Sequence, residues 1–144
     1  MSLTNGQKAI IENILVGSGD RDNLNALVKA LTGDMKFSVL PTSATVAYTS
    51  AGWTKDVVIL LTTADGEVHT WFQNKITISI ADTSTSGTAS IATTTLSMVD
   101  GRGIVTITGD AAAWLEAETA TLTIEADTIL GYTVASKTFV VTIS

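Results

Sequence analysis

The sequence has no cysteine, one histidine and one proline in 144 residues. Without cysteine there are no disulfides, zinc–thiolate sites, iron–sulfur clusters or cysteine nucleophiles. With His69 alone, histidine-based metal sites and catalytic pairs have almost nothing to draw on. Charged residues make up only 15%, basic residues number 8 against 14 acidic ones, and the net charge is −6. That balance argues against a nucleic-acid binder, which needs a basic face to displace phosphate counterions. It argues equally against a basic helix lying on a membrane surface. No apolar run approaches the ~18–20 residues of a membrane span. No run is longer than Val57 to Leu61, which has the length of a strand. The start, MSLTNGQKAIIENILV, has no charged region followed by a continuous apolar stretch, so a signal peptide is not expected. The chain is therefore expected to be made and kept in the cytoplasm.

What is present is apolar residue, at 45%, and threonine. That apolar fraction can bury a core, so general disorder is excluded. A length of 144 residues suits one domain with an appendage.

Residues 1–34 have helical texture. Ile10, Ile11, Ile14 and Leu15 recur at helical spacing, and Thr4 with Gln7 matches a capping box. Gly17-Ser18-Gly19 reads as a helix stop and joint. Leu24, Leu27, Val28 and Leu31 then fall on one helical face, with Asp20 or Asp22 as N-cap and Gly33 suited to the C′ position. The expectation is a short N-terminal α-helical hairpin. Helices this short need a packing partner. They either cap the following domain or dock on another protein, and those eight apolar residues are the candidate protein-docking set.

From residue 35 to 144 the texture is that of strands. Of 25 threonines, 23 follow residue 33, many alternating with Val, Ile or Leu. Threonine is β-branched and fits a pleated surface with the apolar neighbour inward. Clear strands are expected at 75–80, 103–108, 119–124 and 138–143. Others are expected near 37–40, 44–49, 56–63, 67–72, 87–92, 95–99 and 129–134. Asp65-Gly66 and Asp100-Gly101 are hairpin signals, because both turn residues tolerate positive φ. Asp110 to Glu118 reads as locally helical, with Trp114 and Leu115 plugging one end of a core. Many short strands at about ten-residue spacing predict a mainly β fold, an Ig-like β-sandwich.

Chemical motifs are sparse. The G-x-G pairs at Gly17 and Gly101 lack the third glycine and the strand–helix context of a nucleotide site. Asp20-Arg21-Asp22-Asn23 lacks the glycine and glutamate of a calcium loop. His69 is expected at the surface or rim. Asp65 with Glu67, and Glu116 with Glu118, are adjacent in their loops rather than opposed across a cleft, so they read as solvated charge. Trp53, in a loop-like context, is the candidate ligand-facing aromatic for a sugar. No cofactor and no catalytic set is expected.

The phrases Val68-His69-Thr70-Trp71-Phe72, Ile78-Ser79-Ile80-Ala81-Asp82-Thr83, Gly109-Asp110-Ala111-Ala112-Ala113-Trp114-Leu115 and Glu118-Thr119-Ala120-Thr121-Leu122 are similar to Ig-like modules of phage virion proteins. With the helical N-terminal segment, the chain resembles tailed-phage head decoration or head-fibre proteins. The resemblance implies a virion protein that attaches to the capsid by its N-terminal part and displays the sandwich outward. Its partner would be the major capsid protein or another virion protein, with a homo-oligomer as a second form of association. Alternatives are an Ig-like adhesin or carbohydrate-binding module of a bacterial surface protein, or a phage tail accessory protein.

Overall fold

The computed structural model describes residues 35–48, 51–129 and 131–144. The expected helical hairpin and its docking set, from Ile10 to Leu31, lie outside these residues. Eleven strands are present among the described residues: β1 (Lys36–Leu40), β2 (Ala44–Val46), β3 (Trp53–Thr62), β4 (Lys75–Asp82), β5 (Ala89–Ile91), β6 (Thr95–Ser97), β7 (Arg102–Gly109), β8 (Thr119–Ile124), β9 (Asp127–Ile129), β10 (Tyr132–Val134) and β11 (Lys137–Ile143). No helix among the described residues is long and apolar enough to cross a membrane.

The strands form a four-stranded sheet, β1-β3-β7-β5, a five-stranded sheet, β2-β11-β8-β4-β6, and the small hairpin β9-β10. All pairings are antiparallel except β2 with β11. The chain is thus mainly β and sandwich-like. Alternation drives it. Along β7 every second residue is buried, so Gly103, Val105, Ile107 and Gly109 face inward. In β8, Ala120, Leu122 and Ile124 point in while threonines alternate between them. Phe37, Val57, Ile59 and Val105 from one sheet meet Ile78, Leu122, Phe139 and Val141 from the other. Each such side chain contributes about 1.5–3 kcal/mol on burial.

Both outer edges change sheets. After β1 the chain passes the cis Leu40–Pro41 bond and re-enters as β2 on the opposite sheet. Likewise β5 pairs with β7, and four residues later β6 pairs with β4. The edge strands β2, β5 and β6 are three residues long, which limits edge-to-edge pairing.

Several expectations are corrected. Residues 67–72 make only an isolated bridge, Val68 with Thr62, instead of a strand. The loop curls so that Phe72 N–H bonds the His69 carbonyl, and the Phe72 ring turns into the core. A straight strand could not close that end. The segment 129–134 is a hairpin about Gly131, whose φ is +81°. Asp110 to Glu118 is not helical. The Asp110 carbonyl, which in a helix would accept from the Trp114 backbone N–H, instead accepts from its indole Nε1–H at 3.2 Å. Trp114 does plug the core, but Leu115 is half exposed. Both glycine turns form as expected. Gly66 has φ +90°, and Asp100 and Gly101 have φ +53° and +72°.

Candidate functional site

In an antiparallel sandwich one face of each sheet is normally polar. On the four-stranded sheet one end of that face is apolar. The register places Leu40, Val58 and Ile104 in one outward row across β1, β3 and β7, and Ser38, Leu60 and Arg102 in the next. Val68 and Val99, from the loops before β4 and β7, extend this surface. Val99 is 61% exposed, Ile104 58%, Leu40 53% and Val68 36%, while Val58 and Leu60 are half-buried. Between them runs a groove of about 470 Å³, rimmed by Thr70, Asp100 and Arg102. Asp100 is held there by Gln73 Nε2–H, which donates to its Oδ1 at 2.6 Å. The remaining length of the same face is polar, with Thr54, Asp56, Thr106 and Thr108. The patch therefore occupies one end of one face. It is the end at which the N-terminal segment joins β1, because Met35 precedes Lys36, and Lys36 pairs with Thr62 beside Val68.

This site was missed in the reading of the residues, although its signal was present. Val57 to Leu61 is apolar without a break. A strand with that pattern has two apolar faces, and only one can look into a two-sheet core.

The aromatic candidate is corrected. Trp53 is buried, not ligand-facing. It opens β3 and pairs with Gly109, and its ring occupies the space where a Gly109 Cβ would stand, 2.1 Å from Trp53 Cε2. Its other neighbour is Trp114, edge-on at 5.2 Å and 70°. The indole Nε1 of Trp53 has no hydrogen-bond partner. Gly87 lies against the Trp114 ring in the same way. The exposed tryptophan is Trp71, whose Nε1–H donates to His69 Nδ1 at 3.2 Å and whose ring meets Phe72 edge-on.

His69 is buried, not on the rim. Its backbone N–H bonds the Leu61 carbonyl, and Gly101 packs so closely on its own carbonyl that a Cβ would stand 2.4 Å away. Glu118 is also buried rather than solvated, whereas Glu116, Asp65 and Glu67 are exposed. The Glu118 carboxylate accepts from the backbone N–H of Leu115 at 2.7 Å and of Thr85 at 2.9 Å. Those two bonds, the Leu115 one foremost, hold its pKa below the usual 4.5 against the opposing effect of burial. The group ties the loop after β4 to the loop before β8, which is a structural task. Among the described residues no three His, Asp or Glu side chains gather as a metal site.

No protein-family model and no curated protein matches the chain. Among solved structures it is similar to WR4, a C. elegans MSP family member, at 7% identity and a TM-score of 0.44, over 75% of this chain and 97% of that one. It is also similar to the secreted serine protease VesC from Vibrio cholerae, at 11% identity and 0.45, covering 80% of this chain. A third is a Bacteroides ovatus GH5 xyloglucanase in complex with a XXXG heptasaccharide, at 15% and 0.41, covering 75%. The chain spans 26% of the protease and 19% of the xyloglucanase. At these scores the likenesses carry no argument, and function rests on the site itself.

Proposed function

We propose that this chain is a non-enzymatic structural protein of a phage virion, which attaches to the capsid by residues 1–34 and displays an Ig-like domain. One observation carries the reading: the apolar patch is one-sided and adjoins the point where residues 1–34 enter the sandwich. Attachment and display then fall on different sides of one small domain. The patch and the N-terminal segment form the inner side. The threonine-lined face of the five-stranded sheet forms the outer side and stays in solvent. The strand order supports the Ig-like assignment. β1, β3, β7 and β5 face β11, β8 and β4 as the A, B, E, D and G, F, C strands of that plan do. Residues 35–144 also supply a core of their own, closed at one end by Trp114 and at the other by Phe72. The domain thus does not need a partner to bury its interior. The sugar-binding alternative loses its chosen aromatic, since Trp53 is inside.

Co-sedimentation with empty shells of a tailed phage carrying this gene tests the proposal. The full chain is expected to pellet at a saturable stoichiometry matching a capsid symmetry. The Ile11→Asp/Ile14→Asp double variant, with an unchanged near-ultraviolet spectrum, is expected to stay in the supernatant. A folded full chain that never pellets would overturn the capsid assignment.

A further inference from the structure

We infer that the groove on the outer face of the four-stranded sheet binds a single-chain aliphatic carboxylate, its tail on the sheet and its head group at Arg102. The groove measures about 470 Å³, within the roughly 300–1,000 Å³ of small-ligand sites. Its floor and walls are aliphatic, from Leu40, Val58, Leu60, Val68 and Val99. Its polar side chains, Thr70, Asp100 and Arg102, stand on the rim. The two charged ones are not equivalent. Asp100 already accepts from Gln73 Nε2–H at 2.6 Å. Among the described residues the Arg102 guanidinium has no hydrogen-bond or ion-pair partner, so its N–H donors are open to an anion. Arg102 stands beside Leu60 in one outward row, which sets a cation directly against apolar surface.

The backbone decides between an alkyl chain and other occupants. Under the groove β3 lies between β1 and β7, and its N–H and C=O groups are engaged in the ladders on both sides. The loop walls are closed in the same way. Val99 and Arg102 exchange backbone hydrogen bonds at 2.8 and 3.0 Å, and the Val68 carbonyl accepts from Thr70 N–H at 3.0 Å. A peptide laid along this floor would turn N–H and C=O groups toward aliphatic side chains that offer no partner, which costs free energy. A sugar would do the same with its hydroxyls. A polymethylene tail has no polar group to satisfy and needs a partner only at its head. One head matches one open cation, and a charge-assisted bond to a guanidinium is among the stronger hydrogen bonds. Asp100, on the same rim, opposes a second negative charge, so a carboxylate fits better than a dianionic phosphate. This site goes beyond the attachment reading and does not rest on it.

Proton–nitrogen NMR titration of the full chain tests this, with octanoate, octanol and octyltrimethylammonium as probes below their aggregation concentrations. Octanoate is expected to shift the Leu60, Val99 and Arg102 amides saturably and to leave Thr123, on the other sheet, in place. It is expected to bind about fivefold more tightly than octanol, the upper end for a solvent-exposed ion pair, and more tightly still than the ammonium probe. From hexanoate to octanoate each methylene is expected to tighten binding about two- to fourfold. Arg102→Gln is expected to remove the advantage of octanoate over octanol and to leave octanol unchanged. Val99→Ser, at an exposed wall position, is expected to weaken both severalfold. An unchanged near-ultraviolet signal of the Trp53–Trp114 pair shows that both variants are folded. Shifts that never saturate, octanol binding as tightly as octanoate, or octanoate affinity unmoved by Arg102→Gln would each overturn the inference. Tighter binding of acetyl-Val-Ala-Leu, with its free carboxylate, would overturn it too and assign the groove to a peptide C-terminus. None of these titrations contains capsid, so a failed pelleting experiment leaves the result standing, and a failed titration leaves the attachment reading standing.

Discussion

On the outer face of the five-stranded sheet, Thr45, Thr142 and Thr119 form one cross-strand row and Thr138, Thr123 and Ser79 another, with Val140, Thr121 and Ala81 in the row between them. The corresponding rows on the four-stranded sheet read Leu40, Val58, Ile104 and Ser38, Leu60, Arg102. Both faces satisfy the demand of a strand for β-branched or bulky side chains. Threonine meets that demand and leaves a hydroxyl for water, so its face can remain bare. Leucine, valine and isoleucine meet it and leave a surface that gains free energy from being covered, at roughly 25 cal/mol per Å². The two faces thus differ in what they offer water, hydroxyls on one and methyl groups on the other, a distinction that strand content alone does not carry.

The comparison is sharpest where inside and outside are one residue apart. Ile59 points into the core and is fully buried, whereas Val58, beside it, points outward. Ile59→Ala is expected to lower stability by about 2–5 kcal/mol, because the sheets cannot collapse onto the vacated space. Val58→Ala is expected to cost well under half as much. Urea denaturation of the two variants measures both. Comparable losses would mean that the Val58 face is covered by far more protein than the patch description allows.

Next in size is Gly109→Ala. The added methyl meets the Trp53 ring, which Trp114 prevents from moving away. Overpacking of this kind costs about 1–3 kcal/mol, read as a drop in melting temperature. The change lies at the end of the sandwich away from the patch, so dye binding to the patch should not rise with it.

Glu118 supplies a pH-dependent contrast at that same end. Its folded pKa lies below the ordinary value of 4.5, so the unfolded chain binds the proton more readily. Its contribution is therefore fully present above about pH 4.5 and is lost as pH falls through the lowered folded value. Glu118→Gln is expected to lower stability at neutral pH and to flatten the acid limb of the stability curve. Denaturation midpoints at pH 7 and pH 3 test this. An acid limb as steep in the variant as in the natural chain would mean that another carboxylate governs it.

The sandwich was largely legible because threonine alternation marks both strand and facing, as in Thr119 to Ile124 and Lys137 to Ile143. The Asp100-Gly101 turn was legible for a local reason, the tolerance of those residues for positive φ. What escaped were groups whose roles depend on neighbours distant in sequence. Trp53 looked like a loop residue, but Gly109, 56 positions on, makes the slot that takes it inside. Asp110 to Glu118 carries helical propensity, yet the Trp114 indole takes the carbonyl a helix would need, and Glu118 takes the Leu115 and Thr85 amides. His69 is buried because Gly101 lets two loops close over it. The patch differs again: the unbroken apolar run Val57 to Leu61 marks a strand with two apolar faces, but which face looks outward, and beside which neighbours, is set by the pairing with β1 and β7.

The smallest expected change in stability belongs to the experiment that interchanges the two faces. Leu60→Thr with Ile104→Thr gives the four-stranded sheet the chemistry of its opposite. Both positions point away from the core, so each change is expected to alter the unfolding free energy by no more than about 0.5 kcal/mol. Thr121→Ile with Thr123→Ile makes the opposite exchange on β8, in the five-stranded sheet. If an apolar face is harmless in itself, both double variants stay monomeric and bind little dye. If an apolar face is tolerated on the four-stranded sheet alone, the results diverge. The threonine-converted chain stays monomeric, while the isoleucine-converted chain associates and binds dye severalfold more than the natural one. Size-exclusion chromatography across a tenfold range of concentration separates these outcomes. The divergence would show that the two sheets differ in how an outward apolar row is tolerated, with the natural patch placed where it does least harm.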